Sequence, residues 1–222
     1  MNVFKYINDT FKDTPDLVER KIKYSFSCVH IYYIETICSS EQINNFVLKN
    51  LTNPNGPRRF KDILAGPNFK EIDLGRLEFY LYNGFTALVY KGKIYVIETK
   101  ASLDRSVSFP EMEQDLYGAK DALLENYQKN IGLIKRRLKS SHLKTKEYKL
   151  GRFTQTATGV LYVDNITDMS LVKRIDALLN KIDTDSVIDV GELKQFLTMD
   201  KGKCCNNNHN WANNISRYCC IS

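Results

Sequence analysis

The sequence predicts an α/β chain built as two small lobes of strands backed by helices and joined through a long helix. Three observations carry this. Runs rich in β-branched and aromatic residues alternate with runs whose apolar residues recur at helical spacing. The order strand, acidic residue, turn, helix occurs twice, with Tyr33-Ile34-Glu35-Thr36-Ile37 set over Tyr162-Val163-Asp164-Asn165-Ile166. The 222 residues, 43% hydrophobic and 26% charged, have ordinary globular composition and suffice for one large domain or two lobes of about 100 residues. The expected lobes are 16–100 and 105–198, the second including a long helix at 110–138. The same strand-acid-turn-helix order also recurs by chance in α/β chains, so a duplication and a coincidence both stand.

In chain order, KIKYSFSCVHIYYI (21–34) reads as one or two strands. EQINNFVLKNL (41–51) reads as a helix with Ile43, Phe46, Val47 and Leu51 on one face and Ser40 as its N-cap. NLTNPNGPRRF has the Pro, Gly and Asn density of a loop. LEFYLYNGFTALVY allows two readings: a hairpin about Asn83-Gly84, or a helix from an N-cap at Asp73, with Leu74, Leu77 and Leu81 on one face and Gly84 just past its end. Either way, FTALVY, Lys91-Gly92 and KIYVIET form a hairpin. Pro110, Glu111 and Glu113 open the long helix, whose face is Leu116, Leu123, Tyr127, Ile131, Ile134 and Leu138 and whose end is LIKRRL. YKLGRFTQTATGVLYVDNI and LVKRIDALLNKI repeat strand and helix, and IDVGELKQFL is a further short helical piece. After Asp200 the Asn- and Cys-rich run has no apolar period, so 201–222 is expected to be a disordered tail outside the fold.

Several functions are disfavoured. No window approaches the roughly 18 apolar residues of a membrane span, and the N-terminus lacks an export signal; a soluble, cytoplasmic chain is expected. Cys204, Cys205, His209, Cys219 and Cys220 are metal-ligand types, but adjacent cysteines lack the spacing that brings two thiolates to one zinc. No nucleophile motif or phosphate loop occurs, so neither metal nor cofactor is expected. The sharpest enzymatic suggestion is Glu98-Thr99-Lys100 at a strand end, the arrangement of a metal-dependent nuclease of the restriction-endonuclease type. That chemistry needs a second carboxylate. FTALVY offers none, Asp73 is more distant, and an ordinary strand end is the competing reading.

The formal net charge is +6, yet Lys120 to Arg152 alone holds ten basic and three acidic residues. Lys135, Arg136, Arg137 and Lys139 sit where a helix ends, where cations meet exposed carbonyls, but that role needs only two or three of them. The surplus points to an acidic protein partner or an anionic lipid surface. Nucleic acid is not expected, because single-strand binders interleave stacking aromatics and only Tyr148 and Phe153 lie nearby. The candidate interaction surface is Lys135, Lys139, Lys144 and Lys146. Alternatively, Arg136 or Arg137 turns inward to an Asp or Glu of the second lobe.

Read as one pattern, RSVSFPEMEQDLYGAKDALLENYQKNIGLIKRRLKSSHLKTKEYKLGRFTQTATGVLYVDNI resembles the N-terminal soluble domain of the A subunit of nutrient-germinant receptors from spore-forming bacteria. The resemblance runs through Arg105, Pro110, Glu113, Gly118, Asn130, Arg136, Arg137 and Gly151, continues to Gly191, and extends loosely back to Asp16. It implies a short helix at LEFYLY rather than a hairpin, and an acidic, small and basic triplet at Glu98-Lys100 without nuclease chemistry. It also implies a non-catalytic domain on the cytoplasmic side of the spore inner membrane, assembling with other receptor subunits and coupling nutrient sensing to germination. The small-molecule germinant cannot be assigned to this chain. Two departures stand out. Only Gly118 remains of the family's Arg-rich helix start, and Ser222 ends the sequence where family members continue into membrane helices, so a truncated member or a fragment is expected.

Overall fold

The computed structural model describes residues 2–24, 26–53, 60, 68–102, 126–188, 190–199 and 219–221. Arg105, Pro110, Glu113, Gly118 and the first part of the long helix lie outside the described residues. The chain divides into two units: unit 1 is Met1–Tyr6, Asp16–Leu124 and Gln128–Ser140, and unit 2 is Ile7–Pro15, Glu125–Tyr127 and Ser141–Ser222. The sequence placed the long helix with the second lobe, whereas Gln128–Ser140 falls in unit 1.

The chain opens with helix α1 (Val3–Thr10) and a hairpin of β1 (Leu17–Tyr24) and β2 (Ser27–Ile34). Next come α2 (Ser40–Ile43), a π-helical turn at Asn44–Leu48 and α3 (Lys49–Thr52). Strand β3 (Lys70–Ile72) precedes a 3-10 turn, Leu74–Arg76, and α4 (Leu77–Tyr82). Strands β4 (Phe85–Tyr90) and β5 (Lys93–Glu98) form a second hairpin, followed by α5 (Tyr127–Arg137). Unit 1 thus holds a five-stranded antiparallel sheet of order β1-β2-β4-β5-β3.

Its central strands are buried on both faces, which is why IYYI, TALV and IYVI read as continuous rather than alternating apolar runs. On one face Val29, Ile31, Tyr33, Leu88, Tyr95 and Ile97 pack with Ile43, Val47 and Leu51 from the α2–α3 segment. Helix α4 packs on β2 and β4 and buries Leu77, Leu81 and Tyr82. The helical reading of LEFYLY is therefore the observed one. Gly84 follows the helix at φ 81°, and a Cβ there would press on Lys100 at 3.0 Å. Asp73 stands at the N-cap of the 3-10 turn without a side-chain capping bond. The cap at 41–51 is Ser39, not Ser40; its hydroxyl accepts from the Gln42 amide at 3.3 Å. Ser39 is the residue with extended backbone (φ −88°, ψ 119°), and an N-cap needs that geometry.

Unit 2 contains the hairpin β6 (Leu143–Leu150) and β7 (Thr156–Val163), helix α6 (Met169–Leu179), helix α7 (Val190–Met199) and strand β8 (Cys219–Ile221). Leu150, Val160, Ile175, Leu179, Val187 and Leu193 make its core. The tail was expected to stay outside the fold, yet Cys219–Ile221 pairs with Thr158–Val160. Strand β7 has a second edge whose amides and carbonyls need partners, and a short extended segment supplies them without an apolar period of its own.

The two copies read from the sequence share one backbone design. A single offset carries Ile34 to Val163, Glu35 to Asp164, Ser39 to Asp168 and Ile43 to Val172. After β2 the amides of Ile37 and Cys38 donate to Ile34 O; after β7 those of Ile166 and Thr167 donate to Val163 O. Ser39 and Asp168 are the N-caps of the helices that follow. The Glu35 amide donates to Asp16 O and the Asp164 amide to His142 O, and both acceptors immediately precede the first strand of their hairpin. The two turns share these main-chain bonds, while their caps differ: Ser39 accepts from the Gln42 amide and Asp168 from the Ser170 amide.

Candidate functional site

The polar network of unit 1 gathers where β2 and β5 end. Beyond Glu98 the chain continues alongside the turn after β2: Ser39 N donates to Thr99 O at 2.7 Å, Ala101 N donates to Ile37 O at 2.9 Å, and Cys38 bridges Lys100. The Thr99 and Thr86 hydroxyls share a buried hydrogen bond of 2.7 Å. Below them Asp16 is buried and accepts from the Thr36 hydroxyl at 2.5 Å. Lys135, 0% exposed, reaches the same carboxylate and forms an ion pair with it. Arg136 donates to Ala101 O, and Lys139 Nζ donates to Asn83 Oδ1 at 2.7 Å. Burial pushes the Cys38 thiol up to about 11, against opposing hydrogen bonds from Thr99 and Ile34; it stays protonated and unreactive at neutral pH.

These contacts explain why the end of α5 belongs to unit 1, and they correct the expected interaction surface. Lys135 is not on a surface. Along α5 Tyr127, Ile131 and Lys135, four residues apart, are buried together with Asn130 and Gly132, while Ile134 is half-buried and Leu138, just past the helix, is exposed. The apolar stripe assigned to Ile134 and Leu138 has rotated toward solvent, and a cation occupies the inner position because Asp16 neutralises it. Arg136 also turns inward, donating to the backbone carbonyl of Ala101 in unit 1. Sequence reasoning missed Asp16 and Thr36, because the carboxylate that meets Lys135 lies 119 residues away in the chain.

In unit 2, Lys144 is also buried, 4.0 Å from Asp164, which His142 Nδ1 meets at 2.8 Å. Lys146 is half-buried and lies 3.4 Å from Asp176. The Tyr148 hydroxyl donates to Asp176 at 2.6 Å and, with Lys146 and Asn180, holds that carboxyl below its ordinary value against desolvation. Arg152 forks onto Asp183 at 3.0 and 2.8 Å. Much of the basic run is thus satisfied within its own unit, which leaves Lys139 as the exposed member of the four expected contact lysines. Gly151 takes φ 84°, where a Cβ would run into the Thr154 hydroxyl. Asn130 is fully buried, and Arg137 is exposed at the helix end.

Nothing here assembles nuclease chemistry. Glu98 accepts from the Asn68 amide, and Thr99 points into the buried hydroxyl pair. Among the described residues no group of three His, Cys, Asp or Glu could hold a metal ion. No described helix is long and apolar enough to cross a membrane. A cleft of about 520 Å³ lies beside Phe4, Cys28, His30, Val89 and Lys91. In it the His30 ring tilts against Phe4 at 4.6 Å and its Nδ1 meets Glu19 at 3.0 Å.

The molecule is therefore of the α/β class in which antiparallel hairpins, each followed by a turn and a helix, are backed by helices. Its particular affiliation follows from comparison with known proteins. The family model described as Bacillus/Clostridium GerA spore germination protein matches residues 5–207, and the chain belongs to that family. Spore germination protein XA of Bacillus anthracis is 24% identical over 182 residues, 77% of this chain and 37% of that protein. Spore germination protein A1 of Bacillus subtilis is 24% identical over 213 residues, 89% of this chain and 44% of that protein. The chain thus spans less than half the length of these relatives. The fold is that of the N-terminal domain of the A subunit of the Bacillus megaterium spore germinant receptor GerK3, with a TM-score of 0.61, 21% identity, and coverage of 92% of this chain and 80% of that one.

Proposed function

We propose that this chain acts as the N-terminal domain of a germinant-receptor A subunit, on the cytoplasmic side of the spore inner membrane. It is non-catalytic, assembles with the other receptor subunits and couples nutrient sensing to germination. The observation that carries this reading is the family match over residues 5–207 together with a fold shared over 92% of the chain with a receptor A-subunit domain. Supporting it, Glu98, Lys100 and Cys38 stand in structural contacts rather than in a catalytic arrangement. Arg137 and Lys139, exposed at the end of α5 and just beyond it, are the part of the basic run that this reading assigns to contact with partner subunits.

The test is genetic and biochemical. Deleting the gene in the organism that carries it should slow nutrient-triggered germination while leaving sporulation intact. Tagged protein extracted from spores should bring down receptor subunits. Normal nutrient response in the deletion strain, with no receptor subunit recovered, would overturn the proposal.

A further inference from the structure

The β1–β2 hairpin ends in an unusual tip. Tyr24 pairs with Ser27, and Phe26 between them is 105% exposed, an aromatic ring with no packing at all. Lys21 and Lys23 flank it on β1, and both are exposed. The antiparallel register of His30 with Val89 brings the β4–β5 turn to the same end of the sheet, and there Lys91 and Gly92 adopt φ 48° and 77°. Phe4, 38% exposed, borders the cleft that Lys91 and Gly92 also line. Beneath the tips lies an aromatic layer: Tyr24 and Phe60 ring centroids are 5.7 Å apart, Phe60 stacks on Tyr90 at 4.4 Å, and Lys91 Nζ sits 5.4 Å over Tyr90.

The segments that form this end are basic: residues 20–34 and 85–97 contain no Asp or Glu. Among the described residues, carboxylates reach the neighbourhood from outside those segments: Glu19 meets Lys21 at 3.7 Å and His30 at 3.0 Å, and Glu71 meets Lys93 at 2.8 Å. Exposed ion pairs of this kind are weak and yield to competing anions. A convex tip bearing one bare aromatic, ringed by lysines and backed by tyrosines, has the composition of a surface that enters the headgroup region of a bilayer. A protein partner would require a broader, flatter or grooved face to bury enough area for stable binding.

We propose that this end of unit 1 is a peripheral membrane-contact surface: Phe26 inserts at the interface of an anionic phospholipid bilayer while Lys21, Lys23 and Lys91 face the lipid phosphates. This goes beyond the subunit-assembly reading and does not depend on it, since lipid binding can be measured on the chain alone. The site is distinct from Lys139, which bonds Asn83 just before β4 begins, whereas Lys91 follows the end of β4.

The experiment is co-sedimentation of the full 222-residue chain with phosphatidylcholine vesicles, with and without phosphatidylglycerol. Binding is expected with phosphatidylglycerol and is weakened by salt. Lys23→Gln and Lys91→Gln should each reduce the affinity about fivefold, and Phe26→Ser about tenfold. Because Phe26 packs against nothing, the thermal melt of Phe26→Ser should match that of the parent, which separates lost binding from lost folding. A Phe26→Trp variant carrying Trp211→Phe should shift its emission to the blue only with anionic vesicles. Absence of binding, binding unchanged by Phe26→Ser and Lys23→Gln, or binding lost instead in Arg137→Gln with Lys139→Gln would each overturn the proposal.

Discussion

At the scale of the residue, a buried cation and the group that neutralises it dominate unit 1. Lys135 and Asp16 are far apart in the chain yet form one ion pair, with Thr36 filling a second site on the carboxylate. Such a pair adds little net stability over an apolar equivalent, but removing one member strands the other without water. Lys135→Ala or Asp16→Ala should therefore destabilise by about 3–5 kcal/mol in urea unfolding, whereas Lys135→Met with Asp16→Leu should recover most of the loss. A double variant no more stable than either single one would show that the pair does more than neutralise charge. A second prediction concerns Asp176, whose carboxyl is held below its ordinary 3.8 chiefly by the Tyr148 hydroxyl. A lowered carboxyl pKa stabilises the fold above about pH 4 and ceases to as the pH falls through the folded value. Tyr148→Phe should cost under about 1 kcal/mol at pH 7, since the group is part-exposed and screened. The cost of losing this link should vanish toward pH 2. A cost that persists unchanged there would assign it to packing.

At the scale of the element, each copy depends on a capped turn. Asp168 accepts from the Ser170 amide at 2.8 Å, as Ser39 accepts from Gln42. Asp168→Ala and Ser39→Ala should each cost about 1 kcal/mol, readable as a fall in urea midpoint at unchanged slope. If only one of them matters, the turns are alike in geometry but not in energetics. The β6–β7 loop is more exacting. Gly151 adopts a left-handed φ beside Thr154, whose hydroxyl accepts from the Val187 amide at 3.2 Å. Gly151→Ala must both strain the backbone and displace that hydroxyl, so it should destabilise unit 2 by more than about 1 kcal/mol. The strand β8 should act locally. Deleting Cys219–Ile221 should speed amide exchange at Thr158–Val160 while the melting temperature moves little, because three residues bury little area.

At the scale of the whole molecule, the chain belongs to the GerA spore germination family, and among the described residues no group of three His, Cys, Asp or Glu could hold a metal ion. Incubation with DNA and Mg²⁺ or Mn²⁺ should give no cleavage. Cleavage that disappears in Glu98→Ala would restore the nuclease reading against the contact with Asn68.

The α/β class, much of the order of strands and helices and the family resemblance were readable along the chain, because they rest on periodicity, turn chemistry and residue order; the strand-acid-turn-helix repeat was visible there but open to chance. The Lys91-Gly92 hairpin was legible for the same reason, whereas periodicity left both a hairpin and a helix open at LEFYLY and the family resemblance favoured the helix. Which charges face water emerged from the packing alone. Lys135 and Lys144 read as surface cations from their neighbours in sequence, yet both are buried. Their fate depends on Asp16 and Asp164, and such pairings follow from the packing of distant segments. No local pattern records them. The π-turn at Asn44–Leu48 and the inward stripe of α5 were hidden likewise, since burial against a sheet selects the helical phase that packs best and overrides the one that composition suggests.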